Sequence, residues 1–398
     1  MNTKRKIAID MILNIGGTAI PTLLLQLVIL PLLAAKIESD QYGLAITIIA
    51  FITLISSATG SMLNNIRLIY DAYYKEKGYD GDYNIILVVL GVLNALLITL
   101  FSIIYDSNYT FYSLILTIII TLSWYLLEYL IVAFRLKINY KAILYTHLLK
   151  TIGYFVGYAL FCVTRCWQMI YVVGNLFGLT YIVIKSDLLL EPYRITPAFK
   201  ITINQGTKLL IANFFSYILT YADKFLVFPV LGGTMVAIYS TSCTLGKVIS
   251  LAISPVNSVS LTYLAKMKKR RNDYFKYAFM IGTGFCLCGY FICIIISKPI
   301  LSLIYPQFVD EAVKYIWITT GTAVINAMIS IINPFILRFF DMKWQMVLTG
   351  ITATLYIILC VLLASFYGLI GFCYGTMITA IIKAILTIII YNRCRERV

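Results

Sequence analysis

The chain has 398 residues, of which 61% are hydrophobic and only 12% are charged, and its formal net charge is +15. Soluble domains are about half apolar and a quarter charged, so this composition excludes an ordinary soluble globular protein. A membrane-spanning helix needs about 20 apolar residues, so the apolar residues could supply roughly a dozen spans.

The chain begins with a basic segment, Lys4-Arg5-Lys6, and a long apolar run follows it. A signal peptide has the same basic start, but its apolar region is only about 7 to 15 residues long and ends at a small-residue cleavage site. The run here continues to about residue 34. We therefore expect a retained first transmembrane helix.

Long apolar runs follow one another along the whole chain, each ending at a polar or turn-forming segment such as KIESDQ or LGG. They predict an all-α polytopic membrane protein with about twelve transmembrane helices. The predicted spans are residues 9–34, 43–66, 84–104, 110–134, 142–163, 168–186, 207–230, 235–262, 275–297, 310–334, 344–365 and 369–391.

Lysine and arginine lie mostly on one side of this arrangement. With the N-terminus in the cytoplasm, 24 of them fall in predicted cytoplasmic segments, three in outward loops and five within spans. The positive-inside rule therefore predicts that both termini are cytoplasmic. The cations are spread over one membrane face, with a single cluster at 268–271, so we expect contact with the lipid bilayer rather than with nucleic acid.

A long polar connection, SDLLLEPYRITPAFKITINQG, lies near the midpoint. We interpret residues 187–206 as a cytoplasmic linker between a six-helix lobe of residues 1–186 and a second six-helix lobe of residues 207–398. Each lobe opens with a similar Pro-to-Tyr pattern, at Pro31 and Tyr42 and at Pro229 and Tyr239. An even number of spans per lobe predicts a parallel repeat, the arrangement of many transporters.

Ionisable residues within spans are costly and mark functional pathways. Lys247 lies roughly 18 Å below the outer end of the eighth span, near the middle of the membrane. Asp223 and Lys224 lie at a similar depth in the seventh span, and Lys247 is the expected partner of Asp223. We predict these three residues to face a cavity, with Asp223 as a candidate for ion coupling.

A second group of charges lies nearer the cytoplasmic face. Lys150, Lys383 and Glu128 either reach the inner interface by extending their side chains or face the cavity. Arg67 and Arg338 follow directly on long spans and are predicted cations of the cytoplasmic mouth. Cations at several depths favour an anionic substrate, and moving one negative charge outward is favourable by about 2.3 kcal/mol per 100 mV of inside-negative potential.

Other residue types give no sign of enzyme chemistry. The nine cysteines lie in or beside apolar runs without paired spacing, and His147 is the only histidine. The sequence therefore predicts no disulfide framework, no metal site, no cofactor and no catalytic residues. Gly153-xxx-Gly157 and Gly371-xxx-Gly375 predict close helix packing.

Two segments carry a family resemblance. The stretch from Tyr221-Ala-Asp-Lys through Leu-Gly-Gly to Tyr239-Ser-Thr-Ser resembles the segment that joins helices seven and eight in polysaccharide flippases, where an Asp followed by a cation, an apolar run, a Gly turn and a Tyr recur. Pro31 and Gln41-Tyr42-Gly43 are similar to the opening of that family's first half. The whole chain resembles a Wzx-type flippase of O-antigen or capsule repeat units, in the multidrug/oligosaccharidyl-lipid/polysaccharide (MOP) exporter superfamily.

The resemblance implies a MATE-like architecture of two lobes around a cationic cavity. It also implies export of an undecaprenyl-pyrophosphate-linked oligosaccharide across the bacterial cytoplasmic (inner) membrane, with H⁺ or Na⁺ as the coupling ion. A glycan polymerase and a chain-length regulator are the protein partners that it implies. Asp223, Lys224 and Lys247 match the family's cavity charges by position. The first span lacks the charged pair that some relatives have there.

Three alternatives remain open at this point. A multidrug or small-molecule exporter of the same superfamily would have the same fold. A twelve-helix facilitator would carry a Gly-x-x-x-Asp-Arg pattern after its second helix, and the sequence there reads RLIYDAYYKEKG. A membrane glycan polymerase would need a sizeable outward loop, and the predicted outward loops are short.

The predicted topology can be tested with reporter fusions. A reporter of membrane side fused at Gly232 should report the outer side, and the same reporter at Arg270 should report the cytoplasm, because one span separates them. Equal signals from the two fusions would contradict the span count.

Overall fold

The structure is a computed structural model, and it describes residues 13, 16, 17, 19–106, 109–249, 272–339 and 342–393. Side chains are described for these residues except 272–279, 281, 333–339, 342, 343, 345, 346, 392 and 393. Every regular element within the described residues is helical. This confirms the predicted all-α class.

The helices follow the predicted order of spans. In the first part of the chain they are α1 (Ala19–Ala34), α2 (Ser39–Lys77), α3 (Asp82–Tyr105), α4 (Phe111–Leu136), α5 (Tyr140–Thr164), α6 (Gln168–Lys185) and α7 (Phe199–Leu231). In the second part they are α8 (Gly233–Ser242), α9 (Asn272–Ile304), α10 (Val309–Phe339) and α11 (Met342–Arg393).

Nine helices within the described residues are long and apolar enough to cross a membrane. The chain is therefore an all-α polytopic membrane protein. The predicted eighth span and the cluster at 268–271 extend into residues 250–271, outside the described part of the chain. The count of twelve spans and the cytoplasmic termini stay predictions.

The last helix, α11, reverses direction at Gly368, where φ is 64° and ψ is −146°. A Cβ atom on Gly375 would lie 2.9 Å from the Cα atom of Cys360. In a straight helix these two residues would be roughly 22 Å apart. The two arms of α11 therefore pack against each other, as the separate predicted spans 344–365 and 369–391 require.

The long helix α2 extends beyond its predicted span. The spans 43–66 and 84–104 leave residues 67–83 as a connection, and most of this connection is helical because α2 continues to Lys77. Its extension contains no glycine or proline, and Lys75 forms an (i,i+4) ion pair with Asp71, which supports a helix. Gly78, with φ of +63°, ends it. At 39 residues, α2 is about 58 Å long, roughly twice the thickness of the hydrocarbon core.

The contacts divide the chain into two compact units. Unit 1 contains the described parts of Met1–Leu33 and Leu44–Phe225, and unit 2 contains Ala34–Gly43 and the described parts of Leu226–Val398. The boundary between the two units therefore lies within α7, after Phe225. The lobes of residues 1–186 and 207–398 come from the sequence repeat and stay a prediction.

The glycine pairs of α5 and α6 confirm the predicted close packing. A Cβ atom on Gly153 would lie 2.8 Å from the Cα atom of Gly174, and one on Gly157 would lie 2.7 Å from the Cα atom of Ile170. These neighbours are backbone atoms, which cannot rotate away. Glycine is therefore required where the two helices cross.

Replacing Gly157 with alanine should lower the stability of the protein in detergent. The added methyl group would overlap the backbone of α6, and overpacking of this kind costs about 1–3 kcal/mol. Gly350→Ala is the matched control, because a Cβ atom at that helical position has nothing within 4 Å. Thermal unfolding followed by tryptophan fluorescence should show a lower midpoint for Gly157→Ala alone, and equal midpoints would contradict the packing argument.

Candidate functional site

The predicted charges Glu128 and Lys150 face each other across helices α4 and α5. The two side chains interact electrostatically. Lys150 is only 9% exposed, and its Nζ atom lies 4.1 Å from the ring centroid of Trp124 and 5.8 Å from that of Tyr154. Trp124 and Glu128 are four residues apart on α4, as are Lys150 and Tyr154 on α5, so each helix presents a single face to the pair.

Helix α2 approaches Glu128 closely. A Cβ atom on Gly60 would lie 2.5 Å from the Cβ atom of Glu128, so glycine allows this approach. Asn64 donates a hydrogen bond from Nδ2 to the backbone oxygen of Glu128 at 2.8 Å. The backbone of α4 is thereby fixed at the level of the carboxylate.

Helix α7 completes the surroundings of Glu128 with two tyrosines. Tyr217 and Tyr221 both interact electrostatically with the carboxylate, and the hydroxyl of Tyr217 lies 3.3 Å from that of Ser61. Four helices of unit 1 thus meet at this carboxylate. We call Ser61, Trp124, Glu128, Lys150, Tyr217 and Tyr221 the Glu128 cluster. His147 also interacts with Lys150, at the edge of the cluster.

The charges Asp223 and Lys224 pair with each other. The Nζ atom of Lys224 lies 2.7 Å from both carboxylate oxygens of Asp223, and the two side chains are 9% and 14% exposed. The long lysine stem bridges the angle between adjacent helical positions. Lys247 belongs to unit 2 and is half-buried, one turn after α8. The expected pairing of Asp223 with Lys247 stays a prediction.

The remaining predicted cations of the second half lie on α10 and α11. Lys383 is half-buried on the second arm of α11. Arg338 is in the last turn of α10, and its side chain lies outside the described residues. Within the described part of the chain, no group of three or more His, Cys, Asp or Glu side chains could hold a metal ion.

Arg67, a predicted cation of the cytoplasmic mouth, has its charge paired within unit 1. Its guanidinium forms an ion pair with Glu191, donates a hydrogen bond to the hydroxyl of Tyr129 at 2.8 Å and lies 4.7 Å from the ring centroid of Tyr83. The residue is 6% exposed. Its charge is therefore compensated within unit 1, and its role as a binder of substrate anions stays a prediction.

Asp82 is a second buried charge at the end predicted to face the cytoplasm, and sequence reasoning missed it. It accepts hydrogen bonds from the hydroxyl of Tyr74 at 2.6 Å and from the backbone N and Oγ1 of Thr196 at 2.7 and 2.6 Å. The Tyr74 hydroxyl is also 2.7 Å from Thr202 Oγ1. These bonds fix the start of α7 to α2 and α3.

The linker of residues 187–206 is therefore bound to helices α2 and α3 and does not form a free loop. We call Arg67, Asp82, Glu191 and Thr196 the linker clamp. Asn84 donates from Nδ2 to the backbone oxygen of Glu191 at 2.7 Å. The sequence signal for the clamp was faint, because Asp82 at the start of an apolar run is typical of an ordinary first helical turn.

Solved structures share this fold over nearly the whole chain. An inward-facing multidrug resistance MATE family transporter of the MOP superfamily matches at TM-score 0.66 and 13% identity, covering 94% of this chain and 97% of its own. The lipid II flippase MurJ, in an inward closed conformation, matches at TM-score 0.72 and 15% identity, covering 97% and 86%. A Vibrio cholerae MATE transporter matches at TM-score 0.58 and 12% identity, covering 98% and 96%.

The TM-scores establish a common fold. No protein-family model matches the chain, and no curated protein sequence matches it. The MATE-like fold implied by the sequence resemblance is confirmed, and the two six-helix lobes around a cationic cavity stay a prediction.

Removing one partner of the Arg67–Glu191 pair should destabilise the protein, because the other charge would be left buried. Arg67→Met should cost towards the lower end of the roughly 3–5 kcal/mol found for broken buried pairs, since Glu191 keeps some solvent contact. The double variant Arg67→Met/Glu191→Leu should regain much of this loss.

Chemical unfolding in mixed micelles measures these differences. Glu311→Gln is the control, because it breaks the exposed pair with Lys314 and should cost at most about 1 kcal/mol. A double variant no more stable than Arg67→Met would show that the ion pair is not the source of the effect.

Proposed function

We propose that this protein is a flippase that moves an undecaprenyl-pyrophosphate-linked oligosaccharide, an O-antigen or capsule repeat unit, from the cytoplasmic to the outer leaflet of a bacterial inner membrane by alternating access. The observation that carries the proposal is the set of ionisable side chains buried in apolar helices of unit 1. Such groups are costly in a membrane and mark transport pathways. The fold shared with a lipid II flippase and MATE transporters supports the same class of function.

The balance of charge supports an anionic substrate. Lysine and arginine number 32 against 17 aspartate and glutamate residues. A pyrophosphate would bind to lysines in a water-excluding cavity, where charge-assisted hydrogen bonds are stronger than in water. The proposed binding cations are Lys247, Lys224, Lys150, Lys383, Arg67 and Arg338.

Lys247 gives the sharpest test, because its predicted depth is near the middle of the membrane. Lys247→Ala should abolish surface glycan in cells whose own copy of the gene is deleted, while the amount of protein in the membrane stays unchanged. Lys185→Ala is the matched control, since Lys185 is exposed at the end of α6. Staining of surface glycan and a blot of the membrane fraction measure both quantities.

Normal surface glycan in the Lys247→Ala strain would overturn this role for Lys247. Loss of glycan in both lysine variants would show that removal of any lysine impairs the protein, and the cavity assignment would then fail as well.

We propose that Glu128 and Asp223 couple export to H⁺ or Na⁺ movement. Glu128 is the stronger candidate of the two, because helices α2, α4, α5 and α7 all meet around it. The positive charge of Lys150 stabilises the ionised carboxylate of Glu128. A bound cation can take the place of that lysine charge. Asp223 is already bound through both oxygens to Lys224.

Glu128→Gln should remove the dependence of transport on an imposed ion gradient in proteoliposomes. In the single variant, Lys150 would remain buried without its carboxylate. The double variant Glu128→Gln/Lys150→Met removes both charges, so it distinguishes loss of coupling from the effect of an uncompensated lysine. Asp187→Asn, at an exposed position beyond α6, is the control. Gradient-driven transport in the neutral double variant equal to that of the native protein would exclude Glu128 from coupling.

A multidrug or small-molecule exporter is the second candidate, because several structures with this fold are described as multidrug MATE transporters. The same proteoliposomes distinguish the two functions. A flippase should expose a lipid-linked oligosaccharide to an external glycan-cleaving enzyme, whereas a drug exporter should accumulate an organic cation. Accumulation of the cation without exposure of the glycan would favour the second candidate.

A further inference from the structure

A cavity of about 90 Å³ lies at the end of unit 1 that is predicted to face the cytoplasm. The end of α2, the turn that follows it, the start of α3 and the linker around Glu191 form its walls. Its volume is sufficient for roughly six to nine water molecules or one small polar molecule. Of the described residues assigned to the proposed transport steps, Arg67 alone lines this cavity.

The charges around the cavity compensate one another. Arg67 pairs with Glu191, Lys75 pairs with Asp71 at 2.7 Å, and Asp80 in the wall pairs with Arg194. A free cation would meet the buried guanidinium of Arg67, and a free anion would meet three carboxylates. The walls therefore favour a neutral polar ligand.

Two polar atoms of the lining residues lie just behind the cavity surface without a hydrogen-bond partner. Among the described residues these are Arg67 Nε and the Tyr83 hydroxyl, and the two residues are only 6% and 2% exposed. An unsatisfied buried polar group costs about 1–3 kcal/mol. Neighbouring side chains cover both atoms, so a ligand hydroxyl gains a hydrogen bond to either atom once the covering side chains shift.

Three tyrosine rings supply flat apolar faces beside these polar atoms. The ring centroid of Tyr74 lies 5.0 Å from that of Tyr83 and 6.3 Å from that of Tyr79. Tyr79 is half-buried at the edge of the cavity, where its ring can cover a bound molecule. A sugar ring combines hydroxyl groups at its rim with an apolar C–H face, which matches both parts of the lining.

We propose that this cavity binds one neutral sugar ring of a glycan on the cytoplasmic side. Ring hydroxyls would bond to the paired charges of Asp71, Lys75 and Asp80 in the walls, and Tyr79 would pack on the apolar face. A small shift of the covering side chains would add bonds to Arg67 Nε and the Tyr83 hydroxyl. The proposal rests on the proposed function, because it identifies the ligand with a sugar of the exported oligosaccharide. The clamp that holds residues 187–206 also forms one wall, so the bound sugar would contact the linker as well as α2 and α3.

Saturation-transfer NMR on the purified full-length protein tests the proposal. The protein is kept in a detergent without a sugar headgroup, and the probes are glucose, galactose and N-acetylglucosamine, with choline and inorganic phosphate as comparators. At least one sugar should receive saturation, and choline and phosphate should not. Tyr79→Ala should weaken sugar binding about tenfold, a change typical of losing one aromatic contact.

Tyr73→Ala is the matched control, because Tyr73 is a neighbouring tyrosine that does not line the cavity and is 37% exposed. Sugar binding lost in Tyr79→Ala and kept in Tyr73→Ala supports the proposal. Binding of choline or phosphate that depends on Tyr79 would overturn the ligand class. Absence of sugar binding, or equal losses in the two variants, would overturn the site.

The glycan-export test separates this proposal from the proposed function. If Lys247→Ala abolishes surface glycan but the native protein binds no sugar at this cavity, the flippase function is supported and the sugar site is wrong. If the cavity binds a sugar in a Tyr79-dependent way while Lys247→Ala leaves surface glycan normal, the site is supported and the lysine-dependent export proposal is wrong.

Discussion

A charge that leaves water for the interior of a membrane protein needs an opposite charge or several hydrogen bonds, since an unpaired charge in a low dielectric is strongly unfavourable. This constraint governs where the helices of unit 1 meet. Two ion pairs satisfy it, Arg67 with Glu191 and Lys224 with Asp223, with both partners of each largely removed from solvent. At a third place Lys150 and Glu128 interact electrostatically.

The same constraint turns a polar connection into a structural element. Glu191 and Thr196 lie in the segment that separates the predicted lobes, and their bonds to Arg67 and Asp82 hold that segment on the ends of α2 and α3. Helix α7 consequently begins in a fixed register against unit 1. The division between the two compact units lies farther along α7, after Phe225.

The two functional proposals use different parts of this arrangement. The Glu128 cluster combines a carboxylate, an amine and phenol groups among apolar helices, which is suited to exchange of a small ion. The cytoplasmic cavity combines paired charges with tyrosine faces, which is suited to a neutral sugar. A flippase for lipid-linked glycans needs both capacities, because it must take a polar headgroup from the cytoplasm and use a gradient to move it.

The sequence by itself determined the membrane class, the order of the spans and the presence of close helix packing at Gly153-xxx-Gly157, because apolar length and small residues at helical spacing are local properties. It also identified Glu128, Lys150, Asp223 and Lys224 as unusual, because a charge in an apolar run is visible without a structure. Only the tertiary structure decided their partners. Arg67 and Glu191 are 124 residues apart, and no local pattern shows that α2 and the linker meet, because that contact depends on how separate helices pack.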